Sequence, residues 1–338
     1  MVGRGQSNLA STVTSHKAPQ RPSPVRRRRR LGEIALGYAL LAPAIILLLV
    51  FEFYPLGLGF RISTCDWRLG CAKFVGAENY LRAFKDPDMW HALMITATYS
   101  AISVPVQLGL ALLFAYLLFQ RIRGMQVFRM LYFMPYITST VASAAVWAYL
   151  FSPDIGPINK FLESIGLPGQ RWLSETRGII PLILSYFGVQ GPAWLKGPSL
   201  ALISLIIYTS WVFVGYDIVI FLAGLGNIPK ELYDAARVDG ASGWTLFWHI
   251  TWPLLSATTF FLLLITVIGT FKAFNHIYVM TLGGPGNATT TASIYIFNQM
   301  VSYNRYGYSA ALSFIVFFVI LILTVIQNQV AGRRVIYD

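Results

Sequence analysis

Six stretches of this sequence, at about 34–60, 92–119, 126–151, 199–223, 256–281 and 308–330, are long, apolar and almost free of charge. About 20 such residues cover the hydrocarbon core of a bilayer, so each stretch predicts a crossing. In lipid only helices and closed barrels pair all their backbone polar groups. Barrel strands alternate apolar and polar residues over about 10 positions. Runs such as 200–207 and 315–323 do not alternate. The predicted class is therefore an all-α polytopic membrane protein with six transmembrane helices. Only 12% of the 338 residues are charged, about half the roughly 25% of a soluble domain. This excludes an ordinary soluble enzyme, a disordered chain and a collagen-like fibre.

The net charge of +12 is unevenly placed. Residues 1–30 hold eight Lys/Arg, five of them at 26–30, and no acid. With its Ser, Pro and Gly content this segment reads as a disordered basic cytoplasmic tail beside anionic lipid, not as a nucleic-acid arm. It does not read as a signal peptide either, because the apolar segment is too long and no small-residue cleavage site closes it. The tail places the N-terminus inside, and six spans return the C-terminus to the same side. The loop 224–255 is then cytoplasmic, and the loops 61–91, 152–198 and 282–307 are external. A short apolar piece at 179–187, interrupted by Pro181, is expected to be interfacial or re-entrant. Cys65 and Cys71 share one polar loop. Two readings stand for them, a disulfide or two free thiols. The ligands for a metal site are missing.

No G-x-x-x-x-G-K-[ST] run occurs, and Gly224-Leu225-Gly226 lacks the third glycine of a dinucleotide fingerprint. His16, His91, His249 and His276 are scattered, and each reads as a helix-end or interfacial residue. No catalytic set is visible. The informative segment is the cytoplasmic loop, IPKELYDAARVDGASGWTLFWHITWPLL from Ile228 to Leu255. Pro229 suits a first helical turn, and Leu232, Ala235 and Ala236 share a helix face. Gly240 and Gly243 permit a turn, Ser242 is placed to cap a second helix, and Pro253 marks entry into the fifth span. A plain connector does not need about 30 residues patterned this way.

This loop resembles the EAA loop of permease subunits in ATP-binding-cassette importers. Asp234, Ala235, Ala236, Gly240, Ile250 and Pro253 keep the family's spacing, with Asp replacing Glu at 234 and Trp replacing Leu at 252. FVGAENYLRAFKDPDMWHAL (74–93), FRMLYFMPYITSTVASAAVWAYLF (128–151) and GGPGNATTTASIYIFNQM (from Gly283) are similar to the carbohydrate-uptake branch. The resemblance covers about 31–334, the transmembrane permease domain, and implies a type I ABC importer permease architecture. The 152–198 loop is longer than the family pattern.

The resemblance implies a non-catalytic subunit that imports a sugar, oligosaccharide or related polyol delivered by an external binding protein. The implied partners are a second permease subunit, expected to be a different chain, and two ATP-binding subunits that hold the ATP and magnesium; this chain itself is expected to bind no cofactor and no metal. The expected location is a bacterial or archaeal inner membrane. Asp234, Ala235, Ala236, Gly240, Ile250 and Pro253 would form the ATPase-coupling loop. Thr266, Gly269, Thr270 and Ala273 recur at helical spacing, as a solute-facing stripe or as ordinary small-residue packing. Trp211, Tyr216 and Asp217 are the further path candidates, aromatics for stacking on a sugar and a carboxylate for accepting hydroxyl protons. Asp217 and Lys272 lie furthest into spans; they are expected to act on solute, to pair, or to sit near span ends. An ion-coupled secondary transporter is the alternative, but no inverted repeat is visible.

Overall fold

The computed structural model describes residues 24–67, 70–119, 124–186, 188–189 and 197–334. The chain divides into two compact units, Met1–Gly59 and Phe60–Asp338. In the first, helix α1 (Pro24–Leu48) passes through one π turn (Leu49–Phe53) into α2 (Tyr54–Ser63). From Leu36 this is 28 residues of largely apolar helix, enough to cross a bilayer. The sequence reading ran the disordered tail to residue 30. The helix instead begins at Pro24, a residue suited to a first helical position, so the backbone of the arginine run is helical. Residues 1–23 of that tail lie outside the described residues.

In the second unit α2 ends in an antiparallel hairpin, β1 (Cys65–Trp67) and β2 (Cys71–Phe74), closed by a Cys65–Cys71 disulfide. The Asn79 side chain donates to the carbonyls of Ser63 and Cys65 at 2.9 and 3.2 Å, fixing the hairpin against the next helix. There follow α3 (Glu78–Lys85), α4 (Pro87–Phe119), α5 (Met125–Ile137), α6 (Thr140–Leu150), α7 (Pro157–Ser164), α8 (Ile179–Tyr186) and α9 (Leu200–Gly226). Then come α10 (Lys230–Val238), α11 (Gly243–Leu246), a π turn (Phe247–Thr251), α12 (Trp252–Leu254) and α13 (Ser256–Phe271). The last helices are α14 (Asn275–Thr281), α15 (Ala292–Val301) and α16 (Tyr306–Val330).

The six apolar stretches are not six unbroken helices. Among the described residues four helices are long and apolar enough to span, and the pair Gly243–Leu254 and Ser256–Phe271 makes a fifth, bent by 63°. The predicted third span is two helices, α5 and α6. Pro135 withholds a helical N–H near the end of α5, Thr138 turns extended (φ −70°, ψ 153°), and Ser139 caps α6 by accepting from the Ala142 amide at 3.5 Å. The predicted fifth span stops at Phe271; Phe274 leaves helical geometry (φ −138°, ψ −62°) and α14 starts afresh. The apolar piece at 179–187 forms α8, eight residues and too short to cross.

Helix α9 is apolar on every side and the most buried of the long helices, as expected of a central element. Leu205, Tyr208, Ile218, Phe221 and Leu225 fill its contacts with α4, α6, α13 and α14. It also approaches α5 closely. A Cβ placed on Gly215 would stand 1.8 Å from the Tyr132 carbonyl oxygen, so only glycine permits the two backbones to meet there.

Candidate functional site

A cavity of about 460 Å³ opens between α4, α5, α9, α13 and α14. Six of the seven path candidates line it: Tyr216, Asp217, Thr266, Gly269, Thr270 and Ala273. Trp211 does not. It faces a separate apolar groove with Val106 and Trp147, because α9 turns that side of its helix away from α13. Thr266 and Thr270 are buried one turn apart, and Gly269 between them has open space beyond its Cα. Thr270 shares a hydrogen bond of 2.7 Å with Ser100, which holds α13 against α4.

Asp217 is buried in the cavity wall and accepts from the Gln107 amide at 2.6 Å. A charged group at a span centre costs about 2.5–3.5 kcal/mol, and a charge-assisted donor offsets part of that. Lys272 lines the same cavity, but among the described residues it makes no ion pair with Asp217. Of the alternatives open for these two residues, pairing is not what the structure shows. Lys272 caps the C-terminal end of α13, whereas Asp217 lies deep in α9 and has taken Gln107 instead.

Sequence reasoning missed the opposite end of the cavity. His276, the second residue of α14, is buried and bonded through Nε2 to the Tyr99 hydroxyl at 3.0 Å and to Thr209 at 3.2 Å. It is a helix-end residue as expected, but not an interfacial one. Tyr99 and Gln107 are eight residues apart on α4, so the cavity's two polar clusters stand about 12 Å apart along the helix axis. Between them Tyr136 stacks on Tyr216 with ring centroids 4.9 Å apart. The signal was present in α4, where Thr96, Ser100, Ser103 and Gln107 are buried at helical spacing inside an apolar span.

The predicted coupling loop is an ordered hairpin. Helix α10 carries Asp234, Ala235 and Ala236 and buries none of its residues. It ends at Gly240, whose φ of +83° is the left-handed conformation of a helix stop. The Gly240 amide donates to the Arg237 carbonyl at 3.0 Å, and the Ala241 amide to that of Ala236 at 2.9 Å. Asp234 pairs with Arg237 at 3.1 Å, both exposed. Ser242 holds the cap position of α11, with the extended backbone usual there, but makes no side-chain cap, contrary to expectation. Ile250 lies in the π turn and Pro253 in α12. The Tyr233 hydroxyl meets Thr251 at 3.0 Å, tying α10 to this second arm.

A third feature lies on the face predicted to be external. A pocket of about 900 Å³ is lined by Arg82, Lys85, Asp86, His91, Tyr295 and Arg305, among others. Asp86 Oδ2 accepts from the hydroxyls of both Tyr295 and Tyr308, so one carboxylate joins α15 and α16 to the start of α4. Burial pushes the Asp86 pKa up, but these two bonds and the amides of Asp88 and Met89 outweigh it and hold the group below the usual carboxylate range. A lowered folded pKa means that the contribution is fully present above about pH 4 and is lost as pH falls through the folded value. Asp86→Asn is expected to cost about 1 kcal/mol at pH 7. The gap from wild type should narrow below about pH 4, as read by thermal unfolding across pH.

The family model described as "Binding-protein-dependent transport system inner membrane component" matches residues 96–336. The lactose transport system permease protein LacF of Rhizobium radiobacter is 32% identical over 302 residues, 88% of this chain and 94% of that protein. The trehalose/maltose transport system permease protein MalF of Thermococcus litoralis is 33% identical over 304 residues, 89% and 95% of the two chains. A chain in the crystal structure of a bacterial ABC transporter involved in the import of the acidic polysaccharide alginate superposes with a TM-score of 0.74 at 23% identity. That match covers 91% of this chain and 99% of the other, and bears on the fold alone.

Proposed function

The chain belongs to the binding-protein-dependent transport system inner membrane components, and from that premise we propose a translocation path and a coupling device within it. The protein is a multi-pass permease subunit of an ATP-driven importer. The solute is a sugar, oligosaccharide or related polyol, and it passes through the cavity between α4, α9 and α13. One observation carries this reading: a carboxylate, paired threonines and a stacked tyrosine pair share one cavity inside otherwise apolar helices. Sugar hydroxyls need acceptors and donors in turn, and sugar rings present C–H faces that pack on aromatics.

Asp234, Ala235, Ala236, Gly240, Ile250 and Pro253 form the element that docks on an ATP-hydrolysing partner on the cytoplasmic side, where both termini also lie. ATP and magnesium belong to that partner, and this chain performs no chemistry of its own. An external binding protein delivers the solute, and a second permease, a different chain, closes the other half of the path. The host membrane is that of a bacterial or archaeal cell. The ion-coupled alternative draws no support from the relatives, which are named as ABC permeases or as components of solute transport systems.

Gly269 offers a direct test. It lines the cavity, and a Cβ there meets nothing within 4 Å. Gly269→Phe is expected to fill the path, lowering ATP-dependent uptake by about tenfold or more, equivalent to at least about 1.4 kcal/mol against the solute. The assembled complex should be recovered in wild-type yield. Undiminished uptake in vesicles would remove the cavity from the path.

A further inference from the structure

The arm that joins the hairpin to α13 carries a feature that neither solute passage nor ATPase docking uses. Residues 243–254 form a helical elbow bent by 63° from α13. Spanning helices tilt about 20° from the bilayer normal on average. An axis bent 63° from such a helix departs strongly from the direction of the span and can lie along the membrane surface.

The elbow has two unlike faces. Leu246, Phe247 and Thr251 are buried, and Phe247 packs edge-on against Tyr116 near the end of α4 at 5.2 Å. On the adjoining strip, against Phe247 at 5.3, 5.3 and 6.5 Å, Trp244, Trp248 and Trp252 recur every fourth residue and are 70%, 46% and 39% exposed. They contact one another in series, with ring centroids 5.7 and 5.9 Å apart. From Gly240 to Phe271 the sequence has no Asp, Glu, Lys or Arg. Helix α10, by contrast, exposes Lys230, Glu231, Asp234 and Arg237, which suit a soluble partner. The Gly332–Arg334 turn brings its glycine near the ring of Phe260, in the second turn of α13.

We propose that Trp244, Trp248 and Trp252 anchor the elbow in the headgroup region of the bilayer, making the lipid surface the fulcrum on which the coupling hairpin turns. Tryptophan suits that boundary, since its ring is apolar and its single N–H still finds a partner in headgroups or water. A flat amphipathic segment with aromatic anchors sinks only part-way into the leaflet. The inference rests on the reading of the chain as a membrane-spanning permease.

The test compares the assembled transporter with a variant carrying Trp244→Phe, Trp248→Phe and Trp252→Phe, in vesicles whose lipids are brominated either near the headgroup or near the chain end. Phenylalanine keeps the apolar packing. Should the triple variant fail to assemble, Trp244→Phe alone supports the same comparison, being the most exposed of the three. The variant is expected to lose fluorescence quenching by the shallow bromines and little of that by the deep ones. Equal shallow quenching in variant and wild type overturns the anchor. So does iodide quenching of these three residues that appears only when the ATPase is stripped away, which assigns them to the protein partner. Wild-type fluorescence indifferent to both lipids overturns the membrane-spanning reading and the anchor with it.

Discussion

Gly240→Pro is expected to abolish solute uptake and solute-stimulated ATP hydrolysis, while the chain still inserts in the membrane. Proline fixes φ near −65°, and Gly240 sits at +83°, so the replacement cannot adopt the turn. It also removes the amide that donates to Arg237 and displaces the neighbouring amide that closes on Ala236. The C-terminal end of α10 is then unpinned relative to the Trp-bearing arm except through Tyr233 and Thr251. A lever must keep its angle to transmit a rotation, so this loss falls on coupling and not on the apolar core. Gly240→Ala gives the graded companion, because a left-handed alanine costs about 1–2 kcal/mol and keeps the amide. Ala236→Trp reaches the same end by bulk on a half-buried position. The measurements are ATP-dependent uptake in vesicles and ATPase activity with and without solute. Normal coupling in the proline variant would exclude the hairpin as the lever.

The hairpin was legible because each of its determinants is local. Gly240, the spacing from Asp234 to Pro253 and the proline before α10 act over a few residues, and so they can be read along the chain. The stripe on α13 was legible for the same reason, since one helix period places Thr266, Gly269, Thr270 and Ala273 together. Tertiary choices were not. Whether Asp217 pairs with Lys272 or Gln107 depends on how α4 lies against α9, which no periodicity within either helix states. His276 was set aside as one of four scattered histidines, yet it meets Tyr99 only because α14 breaks from α13 and packs against α6 and α9. Span continuity failed where a short break, Thr138–Ser139 or Lys272–Phe274, interrupts an apolar stretch; hydropathy averages over such breaks, whereas backbone hydrogen bonding does not.

Gly215→Val is expected to cause the largest loss of folded protein among single replacements in the helical core. The added Cβ would overlap the Tyr132 carbonyl at 1.8 Å and approach the Phe133 Cα at 3.1 Å, both backbone atoms that no rotamer change can move aside. Helices α5 and α9 must separate, and overpacking of this kind costs about 1–3 kcal/mol or more. Separation also pulls Tyr136 from Tyr216, one residue beyond the contact, so whatever protein survives loses a wall of the cavity. The contrast with Gly269 is what makes the outcome informative. Both glycines lie in spans bordering the cavity, but Gly269 faces empty space and Gly215 faces backbone. The first replacement should block passage through a complex that assembles normally. The second should lower the yield of monodisperse protein and its thermal midpoint before transport is measured at all. Size-exclusion profiles and thermal unfolding of the two variants in detergent separate these effects, and a Gly215→Val protein as abundant and stable as wild type would contradict the close helix crossing on which the cavity wall depends.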